Sequence, residues 1–419
     1  MNIEDIRPEV YEMAERAQRR CQRRFEEIDR TAEANTRRVM CAFQKHRVSD
    51  SCFAGTTGYG YDDLGRETLD QIYAQVLGTE AALVRIGFVN GTHALASALF
   101  ALASPGQTLL SVTGLPYDTL RSAIGIGENV CHGSLRFYGI DYAQVDLAAD
   151  GGPDYEAIRT AAAEEKVAAV LIQRSRGYDD RRALTVDEIG KICAVVKEAN
   201  PKIHVMVDNC YGEFTDIKEP GHVGADLMAG SLIKNPGGGL APAGGYVAGR
   251  KELVERAAMR LTTPGIGGEC GASLGNNRLL FQGLFMAPHI VAQALKTAVF
   301  CAAMMEELGI ESAPGVDDPR SDIIQTVRLG SPERMRQFCR GIQAGAPVDS
   351  FAAPEPWQMP GYDCPVIMAA GAFIQGSSIE LSADGPIRPP YNIYMQGGLT
   401  YESGKLGIMM AVSAMLDER

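Results

Sequence analysis

The 419-residue chain has no surplus of positive charge. Its 40 Lys and Arg stand against 52 Asp and Glu, a formal net charge of −12, which argues against a nucleic-acid or anionic-membrane partner, since both attract basic surfaces. Its ten cysteines contain no C-x-x-C pair and no close spacing with histidine. Neither a disulfide framework nor a zinc cage is therefore expected, no metal site is expected, and the thiols read as reduced. The stretch from Met1 to Arg30 carries mixed charge and lacks the apolar core of a signal peptide. No apolar run reads as long enough to span a bilayer, so a cytoplasmic location is expected. The pair Gly125 and Gly127 has no third glycine at dinucleotide-fingerprint spacing, and the segment Gly398–Lys405 has neither the spacing nor the following hydroxyl of a P-loop. No G-x-S-x-G turn supports a hydrolase, and no internal repeat is present.

What is there is ordinary globular composition, 46% hydrophobic and 22% charged, in a chain long enough for one large and one smaller domain. Residues 1–50 read as one or two helices with solvated faces. A Gly/Tyr loop follows, then a helix from about Arg66 to Leu77 and another beginning near Thr92. Short apolar strands then alternate with helices: "TLLSVT", a helix after Tyr117, "LRFYGI", a helix around Ile158, "VAAVLIQ", a helix around Ile189, and "IHVMVDN". That alternation implies βαβ units and a mainly parallel sheet covered on both faces. The fold class expected is α/β, with a large domain at 51–285 and a smaller α+β domain at 286–419. The latter is read as holding a long helix from about Pro288 to Leu308 and strands at "DIIQTVRL" and "SIELSA".

Ligands of open α/β sheets bind at the carboxyl ends of strands, so polar residues that end strands are the candidates. At "NGTHAL" the exposed N–H groups of Gly91, Thr92 and His93 would open a helix and suit a phosphate; a plain helix cap explains the same residues. Asp208 ends "IHVMVD" and could hold a protonated pyridine nitrogen, as in pyridoxal phosphate, or serve as a cap or metal ligand. Lys234, in "SLIKNPGGG", stands 26 residues further on; its amine can condense with an aldehyde while Ser231 reaches the same phosphate. The glycines after it let backbone approach a ligand. Tyr117 follows "LLSVT" and could stack on a flat ring and exchange protons, or be a core tyrosine. Arg388 and, as second choice, Arg174 with Arg176 could grip a carboxylate, against the plainer role of salt bridging.

In combination, this order of residues resembles fold-type I pyridoxal-phosphate enzymes, and within them the cystathionine and methionine lyases. The stretches "TTGYGYDDLGRETLD", "QRSRGY", "SLIKNPGGGLAPAGGY" and "RLTTPGIGGE" resemble the methionine γ-lyase family whose members are often called aluminium-resistance proteins. The resemblance runs from about Phe53 to Gly407. It implies a transferase-like fold of type I and a pyridoxal 5'-phosphate cofactor on Lys234, which would also take the substrate α-proton. Asp208 would pair with the ring nitrogen, Tyr117 would stack on the ring and act as proton donor, and Gly91, Thr92, His93 and Ser231 would hold the phosphate. Tyr59 and Tyr61 would reach the phosphate of a neighbouring subunit in a homodimer or homotetramer with shared sites. Relatives carry Tyr-x-Arg there, so Arg66 is the nearest substitute. Arg388 occupies the place of the carboxylate-binding arginine. Tyr117 is followed by Asp118 and Thr119 where the familiar lyases have a cysteine, a departure at the methionine-specificity position. The implied activity is a carbon–sulfur lyase acting on a sulfur-containing amino acid. Another pyridoxal reaction (aldolase, racemase or desulfurase) and a non-catalytic scaffold remain as alternatives.

Overall fold

The computed structural model describes residues 2–127, 130–359 and 364–416. The chain forms two compact units, Thr36–Phe285, and Met1–Asn35 together with Met286–Arg419. The N-terminal segment is one helix, α1 (Pro8–Lys45), whose first part packs in the second of these units.

In the unit Thr36–Phe285 the elements run α2 (Leu64–Leu77), β1 (Ala81–Arg85), α3 (Gly91–Leu102), β2 (Thr108–Ser111), α4 (Asp118–Ile124), β3 (Asp141–Gln144), α5 (Tyr155–Ala162), β4 (Val167–Gln173), α6 (Val186–Ala199), β5 (His204–Asp208), β6 (Leu227–Ser231), β7 (Gly245–Gly249) and α7 (Lys251–Leu261). The seven strands lie in the order β1-β7-β6-β5-β4-β2-β3. The pairings from β6 through β5, β4 and β2 to β3 are parallel, and β7 alone runs against its neighbours β1 and β6. Six strands therefore point their carboxyl ends to one edge. Alternate residues of the central strands enter a core shared with α3 and α7: Ala169, Leu171, Met206, Ala229 and Val247 pack with Leu95, Leu99, Leu253 and Ala257. Val170, Ile172, Val205 and Val207 are buried as well. Burial on both faces is why these strands read as continuous apolar runs.

The other unit carries the first part of α1, most of α8 (Asn277–Leu308), β8 (Ser312–Ala313), β9 (Gln325–Arg328), α9 (Pro332–Ala344), β10 (Val366–Ala370), β11 (Ser382–Pro386), β12 (Asn392–Gln396) and α10 (Tyr401–Leu416). Its five strands form an antiparallel sheet, β10-β11-β12-β9-β8.

Four expectations are corrected. "LRFYGI" is not a strand: Arg136–Tyr138 is a 3₁₀ turn closed by Gly139 at φ 80°, and the strand is the largely uncovered edge segment β3 that follows. An uncovered edge needs few apolar residues, so its sequence carries no strand signal. The long helix begins at Asn277, with Pro288 inside it; proline forgoes one helical hydrogen bond, and burial of residues on both sides of it, such as Leu284, Val291 and Leu295, outweighs that loss. The strand expected at "SIELSA" starts only at Ser382. Finally, α8 is long and apolar enough to cross a membrane by length and composition, contrary to the reading of the sequence; 72% of its most apolar stretch is buried within the fold, as in a core helix.

Two loops of the Thr36–Phe285 unit are tied together by Asp63. Its carboxylate accepts from Thr56 Oγ1 (2.5 Å), Ser273 Oγ (2.5 Å), Asn277 Nδ2 (3.0 Å) and, as the cap of α2, the Arg66 N–H (2.9 Å). Burial works to raise its pKa, but the four donors prevail and hold it at about 2, below the usual 3.8. A depressed carboxyl pKa contributes stability that is complete above the unfolded value and is lost as pH falls through the folded one. We expect Asp63→Ala to cost about 3 kcal/mol in urea unfolding at pH 7, and that difference to shrink between pH 4 and about 2.

Candidate active site

The parallel register sets Gln173 of β4, Asp208 of β5 and Ala229 of β6 side by side at the carboxyl edge. Ser231 ends β6, and Lys234 follows as the residue that opens a short turn at Asn235–Gly237. That turn is tight: a Cβ on Gly237 would meet the Leu232 carbonyl at 1.7 Å, and Gly238 is left-handed at φ 54°. The glycines after the lysine thus serve the turn that aims it.

Around Lys234 the side chains close a ring of contacts. Its amine lies 4.0 Å from the centroid of the Tyr211 ring. Asp208 is buried and accepts from the Cys210 N–H at 3.1 Å. A Cβ on Gly91, the first residue of α3, would meet Ser231 Cβ at 3.1 Å and Cys210 Sγ at 3.6 Å. Next on α3, the Thr92 hydroxyl bonds Thr119 of α4 at 3.0 Å. Tyr117 precedes α4, its N–H donating to Gln173 Oε1 at 2.8 Å and its half-buried ring meeting Tyr178 edge-on at 5.9 Å. Gln173 is the register partner of Asp208, which completes the circuit.

Electrostatics separate the roles within it. Burial pushes the Asp208 carboxyl above its usual range, against the pull of Lys234. Burial pulls the Lys234 amine down, but Cys210, Tyr211, Asp208 and Glu213 around it leave its pKa raised. The His93 ring is lowered by burial and by Arg260, and its Nδ1 accepts the Val89 N–H at 3.2 Å. The His93 N–H is occupied by the Asn90 cap at 2.9 Å, so in the first turn of α3 the N–H groups of Gly91 and Thr92 are the ones left facing outward from the helix end.

These residues fit a phosphorylated pyridine cofactor. Ser231 Oγ is buried with no hydrogen-bond partner, and it faces Gly91, where a helix N-terminus offers N–H groups and positive potential to an anion. Asp208 keeps a buried carboxyl for a ring nitrogen, and it acts electrostatically on the Lys234 amine.

Several expected residues stand elsewhere. Arg174 has no exposed surface: it donates to Asn209 Oδ1 (2.8 Å) and Thr215 Oγ1 (3.0 Å) and pairs with Glu219 at 3.5 Å. It belongs to a buried network with Asn209, Thr215 and Glu219. Arg176 is buried too. Arg66 is 4% exposed and spends its guanidinium on the carbonyls of Gly60, Gly271 and Glu269, which makes it a clamp between two loops. Tyr59 and Tyr61 are 72% and 56% exposed and stack on each other at 5.8 Å. Arg388 is exposed, after β11 in the other unit.

Sequence reasoning missed Gln173, Cys210, Tyr211, Asn235 and Glu213. Asn235 is buried and donates to the carbonyls of Tyr211 and Glu213, both at 2.9 Å. Glu213 accepts from Tyr246 at 2.8 Å, and burial pushes its carboxyl up to about 8. The adjacency of Asn235 to Lys234 was the one signal available; the others depend on strand pairing.

Solved pyridoxal-phosphate-related chains of 17% to 19% identity share this fold, with TM-scores of 0.54 to 0.60. Fold and site define a pyridoxal-phosphate-dependent enzyme of fold type I. The profile described as methionine gamma-lyase matches residues 10–416, and the chain belongs to that family, as a carbon–sulfur lyase that uses pyridoxal phosphate. The structure of a carbon-sulfur lyase involved in aluminum resistance from Clostridium novyi NT is 52% identical, with a TM-score of 0.94 over 97% of this chain and 96% of that one. Protein YnbB of Bacillus subtilis is 51% identical over 94% of this chain and 93% of its own length. L-methionine gamma-lyase of Pseudomonas putida is 26% identical over 49% of this chain and 47% of its own.

Two outcomes are expected. Ser231→Ala weakens pyridoxal phosphate binding about tenfold in equilibrium dialysis, roughly one charge-assisted hydrogen bond, with no loss of thermal stability. Arg174→Ala strands the buried Glu219 carboxylate and lowers stability by about 3–5 kcal/mol in urea unfolding.

Proposed function

We propose that Lys234 carries the cofactor covalently and takes the α-proton of a sulfur-containing amino acid, with a thiol leaving from the β- or γ-carbon. The observation that supports it most is the orphaned Ser231 hydroxyl facing Gly91, three residues before a lysine whose neighbour across the strands is the buried Asp208. When bound, pyridoxal phosphate supplies an electron sink for the charge left at the α-carbon. Asp208 would keep the ring nitrogen protonated, while Gly91, Thr92 and Ser231 would hold the phosphate. Tyr117 would cover the ring and supply the proton to the departing sulfur. The resemblance assigns the substrate carboxylate to Arg388.

The residues after Tyr117 bear on specificity. Asp118 pairs with Arg121 at 2.8 Å and Thr119 bonds Thr92, so polar groups anchored in α4 stand where the familiar methionine enzymes place a cysteine. That favours a substrate other than methionine among sulfur amino acids. The exposed Tyr59–Tyr61 stack, on a loop clamped by Arg66, suits contact with a second copy of the chain, in a homodimer or homotetramer acting in the cytoplasm.

The test is the visible absorption of purified protein beside Lys234→Ala, followed by assay of keto acid with a panel of sulfur amino acids. The wild type is expected to show a cofactor band and to release keto acid with thiol; the variant should lose both. A wild-type protein without the band would refute the cofactor role of Lys234, and a band with no keto acid from any sulfur amino acid would refute the lyase reading.

A further inference from the structure

A base that is bonded to its cofactor at rest has to be held somewhere when that bond is absent. A flexible four-carbon stem does not fix an amine by itself. In this structure the Lys234 amine lies over the face of Tyr211, 4.0 Å from the ring centroid, within the range of attraction between an ammonium and an aromatic quadrupole. Tyr211 is no casual neighbour. It takes the left-handed conformation at φ 70°, uncommon for a bulky residue. Its carbonyl accepts from Asn235, the residue after Lys234, at 2.9 Å, and the same amide nitrogen reaches the Glu213 carbonyl. The backbone next to the base and the backbone of the ring are therefore tied by one side chain.

The turn behind is anchored in turn. The Gly212 N–H donates to the Asn209 carbonyl at 2.9 Å. The Asn209 side chain bonds Arg174, Glu219 and Tyr246, all of them buried. The segment from Asp208 to Phe214 thus has its unusual conformation fixed from beneath, and that conformation places the Tyr211 ring under the amine.

We propose that Tyr211 is a positioning residue: its ring is the seat that holds the Lys234 amine, as an ammonium, whenever that amine is not bonded to the cofactor. The proposal rests on the reading that Lys234 carries the cofactor. The seat keeps the displaced amine beside the reacting carbon instead of letting it swing toward Asp208, and it favours retention of the proton the amine has taken. The charged or titratable groups facing the amine are Asp208 at the end of β5 and Cys210, Tyr211 and Glu213 in the following turn. Arg181, after β4, acts on Asp208.

Tyr211→Leu removes the ring and Tyr211→Phe keeps it. In protein stripped of cofactor, acylation of Lys234 by acetic anhydride, followed by mass spectrometry across pH, reports protonation of this one amine. Tyr211→Leu should move the midpoint of that profile to lower pH by about half a unit to one and a half units, and Tyr211→Phe should follow the wild type. In the reconstituted enzyme, kcat should fall about 3- to 30-fold in the leucine variant with KM nearly unchanged. An unmoved midpoint in Tyr211→Leu, with only a change in plateau rate or thermal stability, would overturn the proposal and leave the ring a packing role. Failure of the underlying reading shows separately, as a wild-type protein with no cofactor band, because the acylation profile is read without cofactor.

Discussion

The parallel pairing of β5 with β6 is the constraint on which the site depends. Asp208 and Ser231 end two five-residue strands of unrelated sequence, brought to one edge because Asp208 pairs with Ala229 in register. A slip of one residue would turn every side chain of β5 to the opposite face, and Met206 would leave the core it shares with α3. The packing of the strand thus enforces the position of a polar residue that contributes nothing to that core. Lys234 inherits its place from the same pairing, three residues past the end of β6 and turned back by a run of glycines.

Beneath that edge lies an unusual concentration of buried charge. Arg174, Glu213 and Glu219 have no exposed surface, and Asn209 and Tyr246 bond among them. Such networks are costly to desolvate and are kept up only by thorough pairing; Glu219 is met by the Phe214 N–H at 2.8 Å, by Arg38 at 3.3 Å and by Arg174. The benefit is rigidity in a turn with two non-glycine residues at positive φ, Tyr211 and Phe214. Strain of this kind persists only where the surroundings over-determine it. Here it sets one aromatic ring beneath the Lys234 amine.

The loops on the other side of the unit follow a different logic. Asp63 and Arg66 spend their charge on hydroxyls, amides and carbonyls of residues some 200 positions away. The result is a fixed platform that leaves Tyr59 and Tyr61 exposed, a costly display of aromatic surface for a protein that had no use for it.

Much of this was legible in the chain. Asp208, Ser231 and Lys234 could be named because strand-ending polar residues and a lysine before glycines carry local signals, and the α/β alternation is a matter of periodicity. The surroundings of Arg174 were not legible for a physical reason: an arginine that ends a strand looks the same in sequence whether it faces a ligand or a buried carboxylate 45 residues on. Tyr211 and Glu213 carried no signal, since their meaning comes from where Asn235 and Tyr246 reach them across the sheet. The sequence by itself determined the chemistry available, a lysine, an aspartate and a glycine-led helix start, because each is a property of a residue and its immediate neighbours. Only the tertiary structure decided which arginine is solvated, which hydroxyl is left without a partner and which ring lies under the Lys234 amine, because each depends on desolvation and on strand register between distant segments.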